Sequence, residues 1–405
     1  MEFKKVKLGE CVDYILDYRG KTPKKSKTGI PTLSAKSVKN NFIDYDEVYY
    51  ISRDEYNRFM SKGFPRIGDI LMTMEAPLGL VATLDRDDVG LGQRIVTIRG
   101  KKDFLDNNYL KFYLQSPKGQ HELYSRATGT TVVGISQKNL KNIDIVIPSL
   151  ENQIRIGRIL NNYNIKIEIN NKIISNLESQ AQAIFKSWFV DFEPFQDGEF
   201  VESELDMIPE GWEVKELGEL FKFVKGKNPK DLHEKYEDNF IPYIVKGVMD
   251  GSETPKFTNE INIVKIKKLD CFMLMDGANS GNIYYGYDGA LGSTFALLES
   301  KNQVYRELIY WKLKTNESII KNQNTGSAIP HANKDFINKM NVAIPINIEE
   351  NEILKTLENF RIKINSLNSQ NTKLAELRDA LLPKLMAGEI DVSNIKIEGE
   401  EVKNE

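Results

Sequence analysis

From Ile156 onward the apolar positions follow alternating steps of four and three residues: Ile156, Leu160, Tyr163, Ile167, Ile174, Leu177, Ala181, Ile184 and Trp188, with Asn170 on the same series. Such an a/d seam, sustained over more than four heptads, predicts one long helix of the coiled-coil type. The spacing recurs 197 residues later in Ile353, Leu357, Phe360, Ile364, Leu367, Leu374, Leu381 and Leu385, with Asn371 and Arg378 on seam positions. Two seams in one chain are expected to bury each other as an antiparallel pair; separate partner helices are the alternative. Asn170 and Asn371 are not aligned with each other, so they read as register-setting polar layers or as solvated kinks. The 33 residues of the first seam would span roughly 50 Å at 1.5 Å per residue. Elsewhere the apolar runs are short, as at 69–72 and 143–147, and are punctuated by Gly, Pro, Asn and Asp, which predicts strands and turns.

The recurrence extends beyond the helices. FKKVKLGE (3–10) matches WEVKELGE (212–219), and Gly20-Lys21-Thr22-Pro23 is echoed by Gly226-Lys227-Asn228-Pro229. Ile30-Pro31 pairs with Ile241-Pro242, Asp69-Ile70-Leu71-Met72 with Asp270-Cys271-Phe272-Met273, and Leu91-Gly92-Gln93 with Leu291-Gly292-Ser293. From Thr128 the two copies align without a gap, TGTTVVGISQKNLKNIDIVIP (128–148) on TGSAIPHANKDFINKMNVAIP (325–345). The chain is therefore two copies of one unit, each an irregular part followed by a long helix. The fold class expected is α+β: two similar mixed α/β domains held apart by two long helices pairing as an antiparallel coiled coil.

Charge changes this picture once it is located. The 405 residues carry a net charge of −3, but residues 189–220 hold 11 acids against one Lys, and 389–405 hold six acids against two Lys. The rest of the chain is left at +11, and residues 1–40 alone have ten Lys or Arg against four acids. That local field suits phosphate, although a solvated lysine face gives the same count. The only cysteines, Cys11 and Cys271, are too few for a disulfide framework or a cysteine zinc site. With no apolar run near membrane-span length and no signal-like start, the expected setting is the cytoplasm.

Enzymatic signatures are missing. Gly20-Lys21-Thr22 imitates the end of a P-loop, but the Gly required five residues earlier is Ile15. No dinucleotide fingerprint, nucleophile elbow or zinc-protease helix occurs, and His121, His233 and His331 are scattered, so no metal site is expected. Nor is there an Asn-Pro-Pro-Tyr or Asp-Pro-Pro-Tyr run of the kind that holds a flipped adenine. What remains are duplicated basic and small-polar loops. Lys21, Lys24, Lys25 and Lys27, with Lys225, Lys227 and Lys230 in the second copy, can position a protein on a phosphate backbone. Lys36, Gln93, Arg94, Thr130, Ser136 and Gln137, and their counterparts Lys246, Ser293, Thr294, Ser327, His331, Asn333 and Lys334, offer donors and acceptors to phosphates or base edges. Turn chemistry alone is the competing reading of these loops.

Three segments resemble one family. Ser187-Trp188-Phe189-Val190-Asp191-Phe192-Glu193-Pro194-Phe195 resembles the end of the central conserved region of type I restriction-modification specificity (S) subunits. Leu381-Leu382-Pro383-Lys384-Leu385-Met386-Ala387-Gly388-Glu389-Ile390 is similar to the end of their distal conserved region, and Ile208-Pro209-Glu210-Gly211-Trp212 to the segment that opens their second target-recognition domain. The resemblance covers essentially the whole chain. It implies a non-catalytic subunit that reads a split double-stranded DNA target and docks two methyltransferase (M) subunits and, through them, restriction (R) subunits. No cofactor is expected on this chain; S-adenosylmethionine, ATP and magnesium belong to the partners. The implied partition is a recognition domain at 1–150, a helical spacer at 151–190, an acidic linker at 191–210, a second recognition domain at 211–347, a second spacer at 348–390 and an acidic tail at 391–405. The acidic stretch 189–220 reads as a surface linker or as a mimic of DNA toward a partner. A coiled-coil scaffold with no DNA role and a self-sufficient DNA methyltransferase or nuclease are the rival functions. If the spacer sets contacts one helical turn apart, roughly 34–36 Å, methylation mapping should return two short half-sites about one turn apart across a non-specific gap. A short continuous motif would contradict the spacer.

Overall fold

The computed structural model describes residues 2–20, 22–326, 328–348 and 351–395. Lys21, Ser327 and 396–405 of the acidic tail lie outside the described residues. The chain forms two compact units, Met1–Ile169 with Asn371–Glu405, and Asn170–Gln370. Two long helices, Leu150–Phe189 and Glu352–Ala387, each give one half to each unit.

In the first unit an antiparallel sheet runs in the order Val12–Asp17, Ile95–Gly100, Ile70–Met74, Leu78–Thr83. Every residue of Ile70–Met74 is buried, because the sheet is covered on both faces. Ile70, Met72 and Met74 pack with Tyr109 and Phe112 of the helix Asn107–Gln115, while Leu71 faces the core of a second sheet containing Leu33, Ile51 and Leu91. That second sheet joins Lys25–Ser26, Tyr49–Ile51, Ile30–Leu33 and Gly90–Leu91, the last two in parallel. Ile156 and Leu160 of the first long helix and Leu382, Leu385 and Met386 of the second enter the same core as Ile70 and Met72. The helices run antiparallel here: Arg155 Nε donates to Ile395 O, just past the end of the second helix, whereas Asn164 Oδ1 accepts from Arg378 earlier in it.

The second unit repeats the plan. Its first sheet runs Phe221–Lys225, Phe295–Ser300, Phe272–Leu274, Ile283–Tyr284, and its second contains the parallel pair Ile241–Ile244 and Gly289–Leu291. Lys4–Lys7 with Asp144–Ile147 in one unit, and Trp212–Glu216 with Asn341–Pro345 in the other, are equivalent two-stranded ribbons. Ala181, Phe185 and Phe189 share a core with Leu354 and Leu357, and Ile184, Trp188, Ile353 and Phe360 pack against it. Every apolar seam residue named from the sequence is buried or half-buried. Asn170 is fully buried and its Nδ2 donates to Gln370 Oε1 at 2.7 Å, which makes it a polar layer and not a solvated kink.

The stretch expected as an acidic linker is structured. Phe200–Ser203 and Asp206–Pro209 form a hairpin, and Phe192, Ile208 and Trp212 are buried in the second unit's core. The acids project outward from a framework of tilted and edge-to-face rings, with Phe192, Phe195 and Phe189 each 5.1–5.7 Å from Trp212. The charge count concealed this aromatic anchor.

Arg361, on the second long helix, is completely buried. Its Nε and Nη2 donate to Glu307 Oε1 at 2.7 and 2.5 Å, Nη2 also to Leu269 O at 3.1 Å, and the guanidinium lies 5.0 Å from the rings of both Tyr285 and Tyr310. Burial pushes the Glu307 carboxyl above its ordinary value, and Arg361 opposes that shift. Removing one member of such a pair leaves a buried charge uncompensated. Arg361→Ala should therefore destabilise the second unit by about 3–5 kcal/mol, and the double change Arg361→Met/Glu307→Gln should recover most of it. Urea denaturation checks this; a single-variant loss under about 1 kcal/mol would show that the pair is not a structural anchor.

Candidate nucleic-acid interface

The antiparallel order of each first sheet brings four loops to one end. In the first unit Asp17 pairs with Val96, Thr73 with Ile95, and Met74 with Leu78, so the end of Val12–Asp17, the start of Ile95–Gly100 and the end of Ile70–Met74 coincide. Residues 128–134 close onto this end: Thr128 and Gly134 exchange both backbone hydrogen bonds at 2.8 and 3.0 Å, and Ile135 N donates to Met74 O at 3.0 Å. Gly129, at φ +103°, makes the turn that admits the closure, and Gly326, at φ +89°, does the same in the second unit.

On that end Gln93 Nε2 donates to Thr22 Oγ1 at 2.6 Å, and Arg94 Nε lies 3.2 Å from Glu75 Oε1. Arg19 bridges outward from the sheet: it donates to Asp17 at 2.6–3.0 Å and to Ile135 O at 3.1 Å. Burial alone would raise the Asp17 carboxyl, but hydrogen bonds from Arg19 hold it below its ordinary value. Lys36 is exposed, three residues past Leu33, whose carbonyl accepts from Gly92 N at 2.7 Å next to Gln93.

The second unit reproduces the arrangement with other side chains. Asn228 stands where Thr22 does and accepts from Ser293 N at 3.0 Å and Tyr243 Oη at 2.7 Å. Thr325 and His331 exchange backbone hydrogen bonds at 2.9 and 2.7 Å, Ala332 N donates to Met275 O at 2.9 Å, and Met275 N to Thr294 O at 2.8 Å. Asp276 occupies the position of Glu75, with its Oδ1 2.7 Å from His331 Nδ1. Lys246, two residues past Ile244, whose carbonyl accepts from Gly292 N as Leu33 O does from Gly92 N, is ion-paired with Asp250 at 3.0 Å.

Not every sequence candidate joins these clusters. Ser136 and Asn333 use their side-chain oxygens as N-caps of the short helices Gln137–Lys141 and Lys334–Asn338, accepting from Asn139 N and Phe336 N at 3.1 Å each. Their helical role is the turn-chemistry reading of those positions. Gln137 Nε2 donates inward to Ile15 O at 3.3 Å, and Lys334 Nζ sits 5.6 Å over the Phe223 ring. Lys24, Lys25 and Lys27 are exposed on and beside the edge strand Lys25–Ser26 that follows Thr22, with Lys25 Nζ 4.8 Å over Tyr49. Lys225 and Lys227 are exposed at the end of Phe221–Lys225, as is Lys230, whose backbone N donates to Glu260. Thr130 is exposed on the closed loop, Thr294 is exposed, and Ser293 is half-buried. Residue type does not single out Glu75 and Asp276, because acids look misplaced beside phosphate. Their equivalence in the two copies, 201 positions apart, was the available signal.

Among the described residues no group of three or more His, Cys, Asp or Glu is arranged to hold a metal ion, and no helix is long and apolar enough to cross a membrane.

The family model for the type I restriction modification DNA specificity domain matches residues 1–179 and 209–377, once per unit. The type I restriction enzyme MjaIX specificity subunit of Methanocaldococcus jannaschii is 29% identical over 394 residues, covering 90% of this chain and 88% of that protein. The MjaVIII specificity subunit of the same organism is 32% identical over 195 residues, 47% of this chain and 45% of its own. The type I restriction-modification S subunit from M. genitalium superposes with a TM-score of 0.59 at 19% identity, covering 95% of this chain and 96% of the other, which shows a shared fold. Two matched copies, the repeated loop clusters and a relative alike over nearly its full length lead to one conclusion: this chain belongs to the family of type I restriction modification DNA specificity domains.

Proposed function

We propose that this chain reads a bipartite double-stranded DNA target, one half-site per unit, and docks two methyltransferase subunits and, through them, restriction subunits. The observation that carries the reading is the recurrence of the same four loops at the same sheet end in both units, with different side chains in each. A shared frame with different readers suits two half-sites of different sequence. Lysines on exposed loops and edge strands would hold the phosphates, leaving the clusters around Gln93 and Ser293 for base edges. Off the buried seam, Ile165 and Ile169 each stand 45% exposed one turn apart on the first unit's half of the first long helix. An apolar pair of this kind supports a protein partner on that face. S-adenosylmethionine, ATP and magnesium would be held by the partners, and this chain would contribute recognition and no chemistry.

Single-molecule methylation mapping of cells that express the methyltransferase with and without this chain tests the reading. A split adenine-methylated motif should arise only when the chain is present; a motif independent of it would leave the chain a scaffold. Neutralising Lys24, Lys25 and Lys27 together should weaken binding to all sequences and flatten the log-log salt dependence by up to about 3, near 0.9 per lost phosphate contact. An unchanged slope would place these lysines away from DNA.

A further inference from the structure

We propose that Glu75 and Asp276 are specificity determinants, each accepting a hydrogen bond from the exocyclic amino group of a base in the half-site its unit reads. The inference rests on the DNA-reading function proposed above. A carboxylate on a surface that meets a polyanion is repelled by the phosphates, so its presence at the same position in both units calls for a compensating contact. Neither acid is placed by accident of a loose loop. Glu75 bridges to Gly134, and its neighbour Met74 donates to Arg94 O and accepts from Ile135 N; Asp276 bridges to His331, and Met275 is held in the same way by Thr294 and Ala332. Both remain accessible, at 38% and 35% side-chain exposure.

Each acid is paired with a donor of different chemistry. In the first unit Arg94 lies beside Glu75, and both Arg94 and Ala76 hold positive φ, +68° and +49°, a conformation that non-glycine residues keep where surrounding structure enforces it. A guanidinium next to a carboxylate complements the major-groove edge of a G·C pair, with Arg94 on guanine O6 and N7 and Glu75 on cytosine N4. In the second unit, when His331 donates its Nδ1 proton to Asp276, Nε2 of the neutral ring is an acceptor as well, so this pair faces a base that presents an amino group.

The test uses the chain assembled with its methyltransferase. Methylation mapping and binding to cognate and scrambled duplexes are compared for wild type, Glu75→Ala, Glu75→Gln and Asp276→Ala. Glu75→Ala should relax a single G·C position of one half-site by about 5- to 150-fold, the discrimination of one good base contact, while affinity for scrambled DNA rises because a negative charge is gone. Glu75→Gln should shift preference at that position toward A·T, since an amide pairs with adenine. Asp276→Ala should relax one position of the other half-site only. Unchanged motifs in all variants, or affinity changes uniform across sequences, would overturn the carboxylate reading while leaving the DNA-reading function intact. A wild-type complex without a chain-dependent split motif would overturn both.

Discussion

Neither unit buries its core with its strands and short helices alone; each needs a half of both long helices. In the first unit Leu382, Leu385 and Met386 come from more than 200 residues beyond Ile156 and Leu160, yet all five line one core with the sheet strand Ile70–Met74. In the second, Phe185 and Phe189 meet Leu354 and Leu357 around Trp212. The apolar seams thus do two things at once: they pair the helices with each other and cap the open face of a sheet. The polar residues on the helices follow from this constraint. Asn170, Arg361 and Arg378 sit where the seam or its flank turns inward, and each is answered by a specific partner, because an unpartnered polar group there costs about 1–3 kcal/mol or more.

Much of this organisation was legible in the residues. Strict 4,3 spacing at Ile156, Leu160 and their successors marks long helices without help from tertiary structure, and the match of 128–148 to 325–345 transfers any element of one unit to the other. The helix Asn107–Gln115 was not legible, because Tyr109 to Leu114 are all buried and a helix covered on every side shows no periodic stripe. Strand Ile70–Met74, buried on both faces, shows no alternation, and it was legible instead as a short apolar run. The hairpin at 200–209 was hidden by its acids, whose charge says nothing of the rings beneath them. At the loop clusters, residue type singled out Gln93 and Arg94, which stand beside Thr22 and Glu75, but could not show that the Ser136 and Asn333 side chains cap helices. That role depends on whether a helix begins at the next residue, which local sequence marks only weakly.

The two units keep one backbone frame and exchange the chemistry mounted on it. Gly134 becomes His331, Arg94 becomes Thr294 and Thr22 becomes Asn228, while the backbone hydrogen bonds that close the loops are retained within a few tenths of an ångström. Backbone-to-backbone closure is what permits this freedom: a loop held by its own amides tolerates replacement of nearly every side chain it displays. The polar support of the long helices differs as well, with Lys111 Nζ donating to Asn161 in the first unit and Arg361 to Glu307 in the second.

The division of the units along the chain also orders events in time. The second unit, Asn170–Gln370, is one uninterrupted stretch, whereas the first needs Asn371 onward to finish a core begun at Leu8. A ribosome adding about 5–20 residues per second takes roughly 10–40 s to cover the intervening span, and throughout it Ile156 and Leu160 lack Leu382 and Leu385. The N-terminal half, made first, is completed last. During synthesis, then, the first recognition unit is the one that shows apolar surface to chaperones and to neighbouring chains.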